Sequence, residues 1–151
     1  MIVAIAGSRR LPRGLAPRRL LHLLLSLPPD TQVLLRRGSR TVPGQFESDV
    51  SNVCGILGLE VGWRVPNPVE TPGRAAVYAR DINLVNEADL TLAFLDIKDA
   101  EDGNSGTFHL FERAMQDERP VYAWVVGDDG EPERWGEYDP QERYAWLFEG
   151  A

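Results

Sequence analysis

Five short apolar runs recur along the first 126 residues, at 2–6, 31–35, 59–65, 90–95 and 121–126. Each is long enough for one buried strand and too short for a buried helix. Between them the chain changes to helical period. Residues near 14–26 follow it until Pro28 and Pro29 stop them. Residues 45–57 follow it up to Gly58, a residue suited to a left-handed helix cap, and further helices are predicted at 74–88 and 107–117. Segments 36–44, 66–73 and 96–105 read as loops, the last acidic and glycine-containing.

Strands alternating with helices imply an α/β fold: a parallel sheet of about five strands, flanked by helices and built from right-handed crossovers. This is the Rossmann-like arrangement, in which ligands bind beyond the carboxyl ends of the strands. The alternation stops after Gly127. Trp135, Tyr138, Tyr144, Trp146 and Phe148 follow, too many aromatic residues for a solvated tail. Residues 1–126 are therefore expected to form the ligand-binding domain. Residues 127–151 should form an aromatic-rich extension packed on it or at a subunit interface, and a homo-oligomer is expected.

Charge limits the partners. The chain carries a net charge of −7 and is 43% hydrophobic, which suits one core and argues against general nucleic-acid binding. Yet residues 1–40 hold eight arginines against the single acid Asp30. A basic segment in an acidic protein points to a local anion site. Lys98 is the only lysine, so arginine serves here as the general cation and one arginine alone is weak evidence.

Cys54 stands alone, which excludes an internal disulfide and points to a reducing compartment. The opening residues lack the form of a secretory signal. The segment L-L-H-L-L-L-S-L, bounded by Arg18, Arg19 and Pro28, is too short to span a bilayer. A cytoplasmic protein with no membrane partner is expected. His22 and His109 form no metal-ligand spacing, and no nucleophile arrangement surrounds them or Cys54. Neither a metal nor another cofactor is expected.

Four segments could carry chemistry. Gly7, Ser8, Arg9 and Arg10 follow the first strand, where glycine permits close backbone approach and serine supplies a hydroxyl. An ordinary strand-to-helix turn would use the same residues, and no G-x-G-x-x-G follows. Arg36, Arg37, Gly38, Ser39 and Arg40 repeat that composition after the second strand. Either the two loops form an arginine rim suited to phosphate, or the second is a solvated charged loop.

In the helix 74–88, Val77, Tyr78, Ile82, Leu84, Val85 and Ala88 span an apolar arc that contains Asp81. A buried carboxylate needs a partner, and Arg74 on the same face or a ligand's ribose hydroxyls could supply one. Arg80 lies at the arc's edge. Finally, Gly103, Asn104, Ser105, Gly106 and Thr107 open the next helix as an anion-ready turn. Leu110 lies on that helix's apolar face, whereas His109, Glu112 and Arg113 point to solvent.

The run G-R-A-A-V-Y-A-R-D-I-N-L-V-N-E-A-D-L-T-L-A-F-L-D, the later G-N-S-G-T and P-V-Y-A-W, and the opening A-G-S-R resemble the SLOG superfamily over roughly residues 1–126. These Rossmann-like domains bind nucleotides or nucleotide-derived ligands. They include the phosphoribohydrolases once called lysine decarboxylase-like, a DNA-processing protein of natural transformation, and small bacterial proteins of the YspA type. The resemblance implies ligand contacts at Gly7, Ser8, Arg9, Gly38, Arg80, Gly106 and Thr107, with Ser39 and Asp81 as neighbouring candidates.

The resemblance also has a gap. The phosphoribohydrolases carry P-G-G-x-G-T-x-x-E at the last turn, and their catalytic glutamate falls at Leu110 here. Glu112 is two residues late and on the wrong face. Glu47, Asp49 and Asp81 are conceivable substitutes that no motif matches. The expectation is thus a sensor or sequestering module for a phosphorylated, nucleotide-derived ligand. The alternative is an N-glycosidic hydrolase or transferase acting on nucleoside monophosphates. A protein-interaction subunit using the aromatic tail is a third reading.

Overall fold

A computed structural model describes residues 1–9, 11, 17–37, 43–67, 73–103, 105–127 and 132–148, with 17–20 described by backbone alone. Its elements follow in the order β1 (Ile2–Gly7), α1 (Pro17–Ser26), β2 (Gln32–Arg36), α2 (Gln45–Leu57), β3 (Glu60–Arg64), α3 (Arg74–Glu87) and β4 (Leu90–Asp96). After β4 come α4 (Ile97–Asp102), α5 (Gly106–Gln116), β5 (Val121–Val126), β6 (Pro132–Tyr138) and a 3-10 turn at Ala145–Phe148.

The strands form one sheet in the order β3-β2-β1-β4-β5-β6. The first five are parallel, as the apolar runs predict, and β6 pairs antiparallel with β5. The strand order reverses between β1 and β4, so a crevice is expected at the carboxyl ends of these two strands.

Alternation along the strands sorts the core into two faces. Val3, Ile5, Val33, Leu35, Leu92, Phe94 and Trp124 face α1, α2 and the chain's end. Ala4, Ala6, Leu34, Ala93 and Ala123 face α3 and α5. Four alanines on this second face leave room for α3 and α5 to lie close to the sheet. Gly58, at φ 75°, caps α2 in the left-handed conformation expected of it, and its N–H reaches back to Cys54 and Gly55 carbonyls.

Three expectations need correction. The acidic segment 96–105 is not all loop: Asp96 accepts a hydrogen bond from the Lys98 N–H and starts the short helix α4, which Gly103 ends at φ 63°. The extension contributes a strand, so the sheet has six strands rather than about five. On α3, Val77 and Tyr78 are exposed at 39% and 52%, so the buried arc is narrower than predicted and rests on Ala76, Asp81, Leu84 and Val85.

The extension packs on the domain through most of its aromatic residues. Trp135 sits against Phe108 and Phe111, and Phe148 against Tyr122 and Trp124. The Arg134 guanidinium lies 4.6–5.3 Å from the ring centroids of Phe148, Tyr122 and Trp124, a cation held over three aromatic faces. Asp139 accepts from the Tyr122 hydroxyl at 2.6 Å and from the Arg143 and Tyr144 amides, fixing the turn that follows β6. Leu147 is buried in the same core cluster, whereas Trp146 is 47% exposed. No helix among the described residues is long and apolar enough to cross a membrane.

Candidate functional site

A cleft of about 780 Å³ opens where the topology predicts it. Gly7, Ser8 and Arg9 reach it from the end of β1, Arg36 and Arg37 from the end of β2, and Glu47 from the first turn of α2. Arg80 and Asp81 come from α3, Asp99 from α4, and Ser105, Gly106 and Thr107 from the start of α5. Seven of the predicted site residues therefore meet in one place: Gly7, Ser8, Arg9, Arg80, Asp81, Gly106 and Thr107. Gly38 and Ser39 lie outside the described residues, as do Arg10, Arg40 and Asn104.

Asp81 organises the floor. Its Oδ1 accepts from Arg80 Nε at 3.0 Å and lies 3.0 Å from Arg80 Nη2, and its Oδ2 faces Arg36 Nη1 at 3.5 Å. The side chains of Arg36, Arg80 and Asp81 are only 11%, 10% and 8% exposed. Arg36 continues to Thr107, donating from Nη2 to Oγ1 at 2.7 Å, and Arg80 Nη1 donates to the Arg37 carbonyl at 3.2 Å. One ion cluster thus ties β2, α3 and α5 together. The predicted Arg74–Asp81 pair does not form: Arg74 is exposed, and Asp81's partners are its immediate neighbour and an arginine 45 residues away.

Ser8 is 2% exposed and links the two central strands. Its N–H donates to the Phe94 carbonyl, and its Oγ accepts from the Asp96 N–H at 3.2 Å. The hydroxyl proton remains free to donate. Gly7 is constrained from the core side as well. A β-carbon there would lie 2.4 Å from the Phe46 ring, so glycine is required by core packing beneath the cleft.

At α5, Ser105 Oγ accepts from the Phe108 N–H at 3.0 Å and caps the helix. The Gly106 and Thr107 amides fall in the first turn, where helix geometry provides no acceptor, and both residues line the cleft. A second, smaller groove of about 260 Å³ lies between α3 and α5, lined by Tyr78, His109 and Glu112 among others.

Sequence reasoning underrated Glu47. It is 7% exposed at the third position of α2, and its carboxyl faces the Gly7 N–H and its own N–H. Burial pushes its pKa up, and the charges of Arg36 and Arg80 pull against that only in part. Its proton therefore stabilises the folded state at low pH, and that contribution is lost as pH rises through the folded-state value. Burial also pulls the Arg80 pKa down, with Asp81 opposing and Arg36 adding to the fall. Arg36 and Arg80 bring two positive charges, and the buried acids of the same lining are Asp81, Glu47 and Asp99. Leu110, by contrast, is 1% exposed and packs in the core between α5 and the sheet, outside the cleft lining.

Among the described residues no cluster of His, Cys, Asp and Glu could hold a metal ion. The order of strands and the crevice at their reversal define a Rossmann-like α/β domain. No family model matches the chain, and no curated protein matches it.

Proposed function

We propose that the cleft binds a phosphorylated, nucleotide-derived ligand and that the protein acts as a sensor or sequestering module for it. One observation carries this reading: Ser8, Arg36, Arg80, Thr107 and the first turn of α5 converge on a single cleft at the strand-order reversal. Guanidinium forks, hydroxyls and free amides are the donors that phosphate oxygens accept. The SLOG resemblance belongs to the same proposal. Its opening G-S-R and its G-T turn are far apart in sequence, and both line the cleft.

Binding is favoured over N-glycosidic cleavage by the burial of Leu110. The side chain at the position of the related enzymes' glutamate neither transfers protons nor faces the ligand.

Thermal unfolding with a panel of nucleoside monophosphates, cyclic nucleotides and free nucleosides tests the reading. A phosphorylated ligand at about 100 times its Kd should stabilise by about 2.7 kcal/mol, or roughly 5–11 °C for a chain of this size. Free nucleosides should shift the transition little, and Thr107→Val should reduce the phosphate-dependent gain. A flat response across the panel would refute the proposal.

A further inference from the structure

We infer that Glu47 is an anion-binding residue of the cleft that works as a neutral acid: it takes up a proton from solvent when an oxyanion is seated, keeps it, and donates an O–H hydrogen bond to an oxyanion oxygen. The inference rests on the proposal that the cleft binds an anionic group, and it names the chemistry of that group, a phosphate or sulfate oxygen.

The charge arrangement carries the argument. Glu47 lines the same cleft as Arg36 and Arg80, and both guanidiniums lie close enough to act on its carboxyl. With Glu47 ionised, three buried carboxylates, Glu47, Asp81 and Asp99, line the cleft beside the guanidiniums of Arg36 and Arg80. A seated oxyanion adds further negative charge beside them. Either a carboxylate and an oxyanion then share the two arginines, or one carboxylate becomes neutral.

Asp81 is the poorer candidate, because three guanidinium nitrogens hold it at 3.0–3.5 Å. Glu47 takes its hydrogen bonds from backbone amides, and burial already disfavours its charge more than Arg36 and Arg80 favour it. Protonated, it can keep one oxygen on the Gly7 amide and turn its O–H towards the ligand. Among the described residues, the other charged groups lining this cleft are Arg9 and Arg37, both exposed, and Asp99 of α4, which is buried and has a partner of its own. On α2 itself, Asp49 is held by Gln45. His109 lies in the separate groove with Tyr78 and Glu112.

Sulfate is the suitable probe, since its own charge stays fixed from about pH 5 to about pH 8. Calorimetry of sulfate binding to the full chain, in buffers of different ionisation enthalpy, reads the protons taken up. Uptake approaching one proton per sulfate is expected, with affinity falling up to roughly tenfold per pH unit on the alkaline side. Glu47→Gln should bind sulfate with no proton uptake and a flat pH profile. Sulfate binding without proton uptake in the wild type would overturn the inference and leave the anion reading intact, as would uptake that survives in Glu47→Gln. No sulfate binding at any pH would overturn both.

Discussion

Replacing Asp81 by alanine should expose how much of the fold depends on the cleft's ion cluster. The carboxylate is 8% exposed, accepts from Arg80 Nε, and has Arg80 Nη2 and Arg36 Nη1 within ion-pair distance. Without it, two guanidiniums, each about nine-tenths buried, lose the carboxylate they pair with, and Glu47 and Asp99 are the buried acids left in the cleft lining. Breaking a buried pair by removing one partner costs about 3–5 kcal/mol, because the surviving charge stays desolvated. For a chain of this length each kcal/mol moves the transition by about 2–4 °C, so Asp81→Ala should melt roughly 6–20 °C below the wild type. Circular dichroism melts at low ionic strength would measure it. Sulfate should then recover more stability in the variant than it adds to the wild type, since it can occupy the position between the two cations. A loss below about 0.5 kcal/mol, the range of an ordinary surface change, would mean that Arg36 and Arg80 are hydrated from the cleft and that Asp81 organises nothing.

Two further changes test the frame around the site. Gly7→Ala places a β-carbon 2.4 Å from the Phe46 ring, so overpacking should destabilise by about 1–3 kcal/mol in chemical denaturation, and a smaller side chain at Phe46 should relieve part of it. Cys54 is fully buried and its thiol pKa is pushed up to about 11 by burial, so thiol reagents near neutral pH should label it only as fast as the chain unfolds. Rapid labelling of the native protein would contradict its placement.

The inner parallel strands β1, β2, β4 and β5 were legible because both faces of each are covered, which writes them as largely apolar runs. β6 was not, for the opposite reason. P-E-R-W-G-E-Y contains proline, glycine and three charges, as suits an edge strand with one side open to solvent, and nothing in it resembles β1. α4 escaped because six residues, three of them acidic, are too few to show a period. Among site residues, those at strand ends and at helix starts were legible, since topology alone sends them to one crevice. Side-chain partnerships were not. Helical spacing pointed Asp81 to Arg74, but the pairing was decided by where β2 ends, which places Arg36 beside a helix 45 residues later. Glu47 reads in sequence as the polar first turn of an amphipathic helix. Its burial follows from the approach of β1 to that turn, which no local pattern records.

The antiparallel strand β6 also changes what counts as the end of the domain. Its Arg134 covers the rings of Tyr122 and Trp124 on one side, and its Trp135 covers Phe108 and Phe111 on the other. A chain shortened to the five parallel strands would leave β5 as a bare hydrogen-bonding edge flanked by uncovered aromatic surface, a template for pairing with other molecules. The register shift between Ala123 and Trp124 breaks the regularity of β5 where β6 meets it, and β6 itself presents alternating charge to the solvent. The last strand therefore acts as a terminator for the sheet: it stops lateral growth, so the chain can stay dissolved at concentrations where its truncated form would associate edge to edge.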